Sequence, residues 1–239
     1  NFMFIQGAQS PISVSAGGVE TKEILDEIAK EIEADPVVKD YEQAKKLGYE
    51  FARIILEAEK NAKPVEPVLN VKMKEIRVPL EYGLMELGAV SGLLGLTTVR
   101  DKSAPSGYSI ITETGYLEIG TDIVMLTVPG ELIPQLVYGN VVDKTQSYTG
   151  TDWNYEYTAD IIGRDKTVLV MGLCNDAIGY IVPDNDYAPF IADSLWNTDM
   201  GEKLWGKPQR HYEEMLSAGS EAGSSVMSEL NALVKECIS

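Results

Sequence analysis

The chain has 239 residues, of which 44% are hydrophobic, so it can bury a substantial core in one large domain or two small ones. Its formal net charge of −17 excludes nucleic acids and strongly anionic membrane surfaces as partners, because binding to polyanions depends on clustered Lys and Arg. No apolar run reaches the roughly 18 residues that a membrane-spanning helix requires.

The first quarter of the chain predicts a short strand followed by two helices. The opening run NFMFIQGAQ is strand-like, whereas chain termini are usually polar, so we expect further sequence upstream of Asn1. Apolar residues at helical spacing predict an amphipathic helix over 19–34 and a second helix over about 37–61. The breaker AKPVEP follows the second helix.

The next segments predict a strand and a short helix. The run VLNVKMKEIRVPL alternates Val71, Met73 and Ile76 with lysines and acids, which is typical of a half-buried strand. Residues 82–98 are rich in Gly and Leu, and we expect a short, closely packed helix there.

The middle of the chain predicts a β-hairpin and a buried strand. GYLEIGTDIVMLTVPGE indicates a strand over 116–119, a turn at 120–122 and a second strand over 123–128. Residues 140–163 are polar and aromatic and indicate a loop or an edge element. The apolar run over 168–171 is typical of a strand that is covered on both faces.

The last part of the chain predicts an insertion and a closing helix. The insertion, 184–210, carries Trp196 and Trp205, and the helix covers roughly 221–236. No internal repeat, low-complexity tract or interdomain linker divides the chain. We therefore predict an α/β fold with layered mixed sheets and helices packed on the outside, forming a single domain over 1–239 that is incomplete without an upstream part.

General catalytic motifs are missing from this sequence. His211 is the only histidine, so a histidine-rich zinc site cannot be built from this chain alone, and a Ser-His-Asp triad would have to use it. The sequence holds no GxSxG elbow, Walker loop or dinucleotide fingerprint. Cys174 and Cys237 form neither a metal-ligand spacing nor a disulfide framework.

Four ordered stretches carry a resemblance to a known family. They are FIQGAQSPISV (4–14), LTVPGEL (126–132), GLCNDAIGYIVP (172–183) and HYEEMLSAGSEAG (211–223). In this order they resemble the neutral/alkaline, non-lysosomal ceramidase family. The resemblance covers nearly the whole chain but only the later part of that family's catalytic domain.

The resemblance implies a zinc-dependent amide hydrolase. In the family, two histidines, a glutamate and a tyrosine hold zinc, and the amide bond of an N-acyl sphingoid lipid is cleaved. The glutamate of the Pro-Gly-Glu corner matches Glu131, and the tyrosine ligand matches Tyr180. A further active-site tyrosine, which contacts the substrate carbonyl, matches Tyr212. The two remaining histidine ligands of Zn²⁺ are expected upstream of Asn1, and an extracellular or cell-surface location is favoured.

The catalytic serine of the family matches less well. The family carries it in a Gly-Asp-Val-Ser-Pro segment, which places it at Ser13, with Ser10 as the rival. Pro11 stands at the position of the aspartate and Val14 at that of the proline. Whether a serine or a water molecule activated by zinc attacks the amide stays open.

Simple physical chemistry supports these residue types, but a non-catalytic alternative stays open. A turn at the end of a strand lets the carboxylate of Glu131 leave the sheet, although a glutamate after Pro-Gly is ordinarily a solvated turn residue. A tyrosine donor would stabilise the charge that develops on an amide oxygen. The alternative is a ceramidase-like binding or structural module without the metal, which the missing aspartate beside Ser13 favours.

Overall fold

The structure, a computed structural model, describes residues 5, 7, 8, 48, 49, 51–188 and 213–239. Packing divides the chain into two compact units, one formed by Asn1–Ile12 with Glu66–Ser239 and the other by Ser13–Val65. In the smaller unit residues 51–59 are helical, which confirms the second predicted helix over that stretch. The helix predicted at 19–34 lies outside the described residues. Two compact units can belong to one domain, so the single-domain organisation stays a prediction.

The larger unit is built on two sheets. Its strands in the described residues are β1 (Leu69–Pro79), β2 (Thr98–Arg100), β3 (Tyr108–Ile119), β4 (Ile123–Thr127), β5 (Glu131–Leu132), β6 (Thr167–Met171) and β7 (Tyr180–Ile181). The main sheet has the order β1-β3-β4-β6, with β2 also paired to β3. The pairs of β3 with β1, β2 and β4 are antiparallel, whereas β4 and β6 are parallel. Strands β5 and β7 form a separate parallel pair.

Helices pack against the main sheet and around its ends. They are α1 (Leu84–Val90), α2 (Gln135–Tyr138), α3 (Thr158–Ile162) and α4 (Ala222–Ile238), with 3₁₀ turns at Asp184–Asp186 and Glu213–Leu216. Helix α4 confirms the predicted closing helix, and its apolar side packs on β1 and β3. A mixed sheet with helices packed on it confirms the predicted α/β class.

The predicted strand over 68–80 is confirmed as β1, but its buried face differs from the expectation. Val71 and Met73 are 55% and 43% exposed, whereas Ile76 and Val78 are almost completely buried. Because side chains alternate between faces, Ile76 lies on the opposite face from Val71 and Met73. The even-numbered face is therefore the one that is turned toward the core.

Helix α4 contacts the even-numbered face of β1 through ion pairs as well as through apolar packing. Lys72 and Lys74 lie on the same face as Ile76, and their ammonium groups form ion pairs with Glu236 and Glu229 of α4, each at 2.6 Å. The lysine stems can cover apolar surface while the charged ends reach the rim of the helix. Polar residues of β1 therefore belong to the helix-covered face, which the alternation alone does not reveal.

The predicted hairpin is confirmed, but its first strand is longer than expected. The turn at 120–122 is present, and Gly120 has φ 65°, a left-handed conformation that glycine adopts at little cost. Strand β3 begins at Tyr108 rather than near 116. The additional residues include the buried Thr112 and Thr114, and the Thr114 hydroxyl donates to the carbonyl of Thr127 at 2.7 Å. Hydrogen-bonded threonines in the core hide the apolar pattern of a strand.

Three further expectations meet different outcomes. Residues 140–157 form neither helix nor strand, as expected, and lead into α3. Strand β6 is present, but it is not covered on both faces, because Leu169 is 38% exposed while Val170 is buried. The short, closely packed helix is confirmed as α1, where a Cβ at Gly88 would lie 2.8 Å from the Leu94 side chain. No helix in the described part of the chain is long and apolar enough to cross a bilayer.

Candidate functional site

The Pro-Gly-Glu corner carries the chain from β4 into β5 and is hydrogen-bonded to the loop after β6. The amide of Val128 donates to the carbonyl of Met171 at 3.0 Å, and the amide of Cys174 donates back to the carbonyl of Val128 at 3.0 Å. The amide of Ile178 donates to the carbonyl of Pro129 at 2.9 Å. These bonds hold the two segments in a single arrangement at the end of the main sheet.

Two glycines allow the backbones at this corner to approach closely. A Cβ on Gly130 would lie 2.4 Å from the carbonyl oxygen of Gly179. A Cβ on Gly179 would lie 1.6 Å from the carbonyl oxygen of Leu216, and Gly179 also has φ +85°. Only glycine fits either position without displacing backbone. The corner, the start of β7 and the turn before α4 therefore meet at a glycine junction.

Glu131 and Tyr180 are direct neighbours in the parallel pair of β5 and β7. Register partners on adjacent strands lie about 4.8 Å apart and point to the same face. The next residues, Leu132 and Ile181, are fully buried, so the alternation of strand side chains directs Glu131 and Tyr180 to the other face. Both are half-buried. The structure thus brings the predicted carboxylate and phenol together.

A third segment lies beside Tyr180. Ser217 forms a parallel bridge with Tyr180, and it directly follows the 3₁₀ turn Glu213–Leu216. Tyr212, the predicted carbonyl contact, precedes Glu213 and lies outside the described residues. The segment that follows Tyr212 in sequence is therefore located at the strand that carries Tyr180.

The beginning of the chain is described only in part. Ser13 and its rival Ser10 lie outside the described residues. Gly7 lies near β6, since a Cβ built on it would be 4.0 Å from the carbonyl oxygen of Val170, and Ala8 packs against the core. The Gly-Ala pair that precedes both serines is thus placed beside β6.

The donor set fits half of a zinc site. A carboxylate and a phenol oxygen are both oxygen donors, and zinc in proteins usually has four ligands, of which three or four come from the protein. Within the described ranges, no group of three or more His, Cys, Asp or Glu side chains could hold a metal ion. The only histidine, His211, lies outside the described residues. Glu131 and Tyr180 would therefore need two further ligands.

The strand that carries Tyr180 is also tied to α4. The Asp184 carboxylate accepts a hydrogen bond from the amide of Ser224 at 2.9 Å, at the start of the helix. Burial raises the pKa of Asp184, and the bonds from Ser224 oppose that rise. A Cβ on Gly223 would lie 2.3 Å from the carbonyl oxygen of Val182, so the helix start and the strand are in close contact.

A small cavity is lined in part by Ser217, and the sequence analysis did not predict it. Its volume is about 90 Å³, and it is lined by Glu81, Tyr187 and Glu214 among others. A usable signal was present, because Glu81 lies two residues beyond Pro79, the last residue of β1. An acid just beyond a strand end is a recurring position for functional side chains.

The fold and the geometry define an α/β protein with a carboxylate-phenol pair on a two-stranded parallel sheet. In comparisons with known proteins, no family model matches this chain and no curated protein matches it. The ceramidase resemblance is therefore a proposal for this chain.

Proposed function

We propose that this chain is the later portion of a zinc-dependent amide hydrolase that resembles the neutral ceramidases. Its substrate is a ceramide-like lipid or a related N-acyl amide. The observation that carries the proposal is the register pairing of Glu131 with Tyr180, since these are the two positions that the resemblance assigns to zinc. Residues that are distant in sequence would not need to meet on one face if each were an ordinary turn or rim residue.

Glu131 and Tyr180 would hold the metal, and two histidines from sequence upstream of Asn1 or from another chain would complete the site. Zinc bound there would act as a Lewis acid toward the amide carbonyl and lower the pKa of water. The phenol and carboxylate both belong to ligand types that zinc accepts in proteins.

The residues of this chain position the donors before substrate binds. The amide of Glu131 donates to the carbonyl of Gly179 at 2.9 Å, so the backbone that carries the carboxylate is held against the backbone that leads to Tyr180. Buried Leu132 and Ile181 anchor the same two strands in the core. Such preorganisation reduces the reorganisation needed during reaction.

Two more residues are assigned roles in the proposal. Tyr212 would donate a hydrogen bond to the substrate carbonyl, where negative charge develops as the amide is attacked. Ser13 would be the nucleophile or a hydroxyl that orients the substrate. The parallel bridge between Ser217 and Tyr180 supports the first assignment, because it brings the segment after Tyr212 to the proposed metal site.

The test is zinc content and amide hydrolysis of the encoded protein, including the sequence upstream of Asn1. We expect about one zinc per chain and release of fatty acid from ceramide or a simpler N-acyl amide. Glu131→Gln should remove the zinc and lower kcat/KM by about 100-fold or more, because even outer-shell partners of a metal are worth 10- to 100-fold.

The matched control is Glu229→Gln. It removes the same charge from an exposed carboxylate that pairs with Lys74, far in sequence from the corner. Zinc content and kcat/KM should stay at the level of the unmodified protein. Absence of metal and of activity in the protein with its upstream sequence would overturn the proposal and favour a non-catalytic module.

A further inference from the structure

Helix α1 is apolar on the side that faces solvent as well as on the side that faces the core. Its buried residues are Met85, Gly88 and Ala89. Leu84 and Leu87 lie on the opposite side of the helix and are exposed. A surface helix ordinarily carries polar residues on its outer side, and a helix that is apolar all round is normally buried. The outer side of α1 therefore has the composition of a covered surface.

The exposed apolar surface continues beyond both ends of the helix. Glu86 is the only charged residue over positions 82–96. We call the exposed large apolar side chains of this stretch the α1 patch, and between 37% and 84% of each is exposed: Tyr82, Leu84, Leu87, Val90, Leu93 and Leu94. Large exposed apolar patches ordinarily mark a site of interaction with another protein, a ligand or a membrane.

A protruding tip lies at the C-terminal end of the patch. Gly92 and Gly95 have φ +79° and +68°, a left-handed conformation that favours glycine. They enclose Leu93 and Leu94. A Cβ on Gly88 would lie 2.8 Å from the Leu94 side chain, so Leu94 leans back on the helix. Leu93 is 84% exposed and is the side chain that the tip presents to solvent.

The α1 patch is next to the proposed metal site. On the buried side of α1, Cε of Met85 lies 2.7 Å from the position of a Cβ on Gly179, the residue before Tyr180. Helix α1 also contacts the 3₁₀ turn Glu213–Leu216. The inner side of α1 thus rests on the glycine junction. A partner bound to the outer side would lie about one helix diameter, roughly 10 Å, from that junction.

We propose that the α1 patch docks on the surface of a zwitterionic lipid bilayer, with Leu93 inserted among the headgroups. Apolar segments at such an interface lie about 5–10 Å deep, at the boundary between headgroups and acyl chains. Leu84 and Leu87 would lie beside the inserted tip. The ring of Tyr82 would lie at the level of the headgroups, where tyrosine is enriched. A fluid bilayer accommodates a protruding leucine without a preformed pocket.

Charge favours this occupant over an anionic membrane and over a second copy of the chain. The chain has a formal net charge of −17, whereas positions 82–96 hold one acid, Glu86, and no Lys, Arg or His. Attraction to anionic lipids depends on Lys and Arg close to the surface. Two copies paired through the patch would bring together two chains of −17 each, which repel one another. A zwitterionic surface has no net charge and imposes neither cost.

The role of such docking rests on the proposed function. Lipids with long alkyl chains reside in bilayers, so an enzyme that cleaves a ceramide-like lipid meets its substrate at a lipid surface. Docking through α1 would hold the glycine junction, and with it Glu131 and Tyr180, near that surface. The patch would therefore deliver substrate from the bilayer to the site and take no part in the chemistry.

The experiment is co-sedimentation of the protein with vesicles of pure phosphatidylcholine, without zinc and without any amide lipid. We expect half of the protein to be bound at about 0.1–1 mM lipid, which is comparable to or weaker than the binding of a single myristoyl chain. Vesicles with about one third phosphatidylserine should bind less protein at low salt. The difference should shrink as salt is added, because salt screens the repulsion.

Substitutions assign the binding to the patch. The double variant Leu87→Ser with Leu93→Ser should raise the lipid concentration for half-binding by about tenfold or more, because it removes two apolar side chains from the contact. The matched control is Leu69→Ser, which changes an exposed leucine at the start of β1, roughly 33 Å along the strand from Pro79. Its half-binding concentration should stay at the level of the unmodified protein. Far-UV circular dichroism reports whether each variant is folded.

Four results would overturn the proposal. They are absence of binding to phosphatidylcholine vesicles, equal binding by the double variant, binding that requires phosphatidylserine, and a dimer in sedimentation velocity that the double variant abolishes. The last result would assign the patch to a second copy of the chain. The vesicle assay involves neither zinc nor turnover, so a failed hydrolysis assay leaves its result intact. Conversely, absence of vesicle binding leaves the zinc and hydrolysis test of Glu131→Gln unaffected.

Discussion

The glycine junction under the candidate site makes a sharp prediction for Gly179→Ala. The substitution adds a Cβ in a left-handed conformation, φ +85°, and places it 1.6 Å from the carbonyl oxygen of Leu216 and 2.7 Å from Cε of Met85. The conformational cost is about 1–2 kcal/mol. Overpacking adds about 1–3 kcal/mol, and the backbone oxygen cannot move aside as a side chain would. We expect a loss of about 2–5 kcal/mol in the free energy of unfolding.

Gly107→Ala separates the two contributions. Gly107 has φ +81°, nearly the same conformation, but a Cβ there would meet no heavy atom within 4 Å. This control should therefore lose only the conformational part, about 1–2 kcal/mol. The difference between the two variants, about 1–3 kcal/mol, measures the close approach of the backbones at the site.

Urea unfolding of both variants, followed by far-UV circular dichroism, measures this difference. With an m-value of about 3 kcal/mol/M, at the upper end of the usual range, the midpoints should differ by about 0.3–1 M. Equal midpoints for Gly179→Ala and Gly107→Ala would refute the packing of Gly179 against Leu216.

Two further predictions concern buried polar contacts and pH. Asn231→Ala should lower the free energy of unfolding by about 1–3 kcal/mol, because it leaves the buried hydroxyl of Thr158 without the side-chain oxygen it bonds at 2.6 Å. In a double-mutant cycle with Thr158→Val, the two losses should sum to more than the loss in the double variant, and strict additivity would contradict the contact. Hydrogen bonds from Ser103 and then Ser109 lower the pKa of Asp101 from 3.8 to about 2, so its ionised form is favoured in the folded state. That stabilisation is complete above pH 3.8 and is lost as the pH falls through about 2. The Tm deficit of Asp101→Asn should therefore be full near pH 6 and should shrink as the pH falls from 3.8 to about 2. A deficit that is constant with pH would contradict this prediction.

Sequence patterns correctly predicted the elements that depend mainly on residues close to each other along the chain. The turn at Gly120 and the final helix follow from turn chemistry and helical spacing, both of which are short-range properties. The same patterns missed the first part of β3, because its buried positions carry Thr112 and Thr114. Those hydroxyls are satisfied by partners elsewhere in the fold, including the carbonyl of Thr127.

The buried face of β1 shows a limit of pattern reading. Period-two alternation identifies two faces but does not say which one the rest of the chain will cover. The sequence pattern grouped Val71 and Met73 with Ile76, but these residues lie on two faces, and the face with Ile76 and the lysines is the one that packs on α4. The acids of α4 that pair with those lysines lie at the far end of the chain, so only the folded arrangement decides the choice.

The sequence by itself determined the α/β class, the acidic character and, through a resemblance, the identity of Glu131 and Tyr180 as a candidate pair. Only the tertiary structure decided that β5 and β7 run parallel in the register that makes these residues neighbours, and that Glu81 and Tyr187 share a cavity. The physical reason is that register depends on backbone contacts between distant segments. Here those contacts exist because Gly130 and Gly179 let three backbones approach more closely than any side chain would permit.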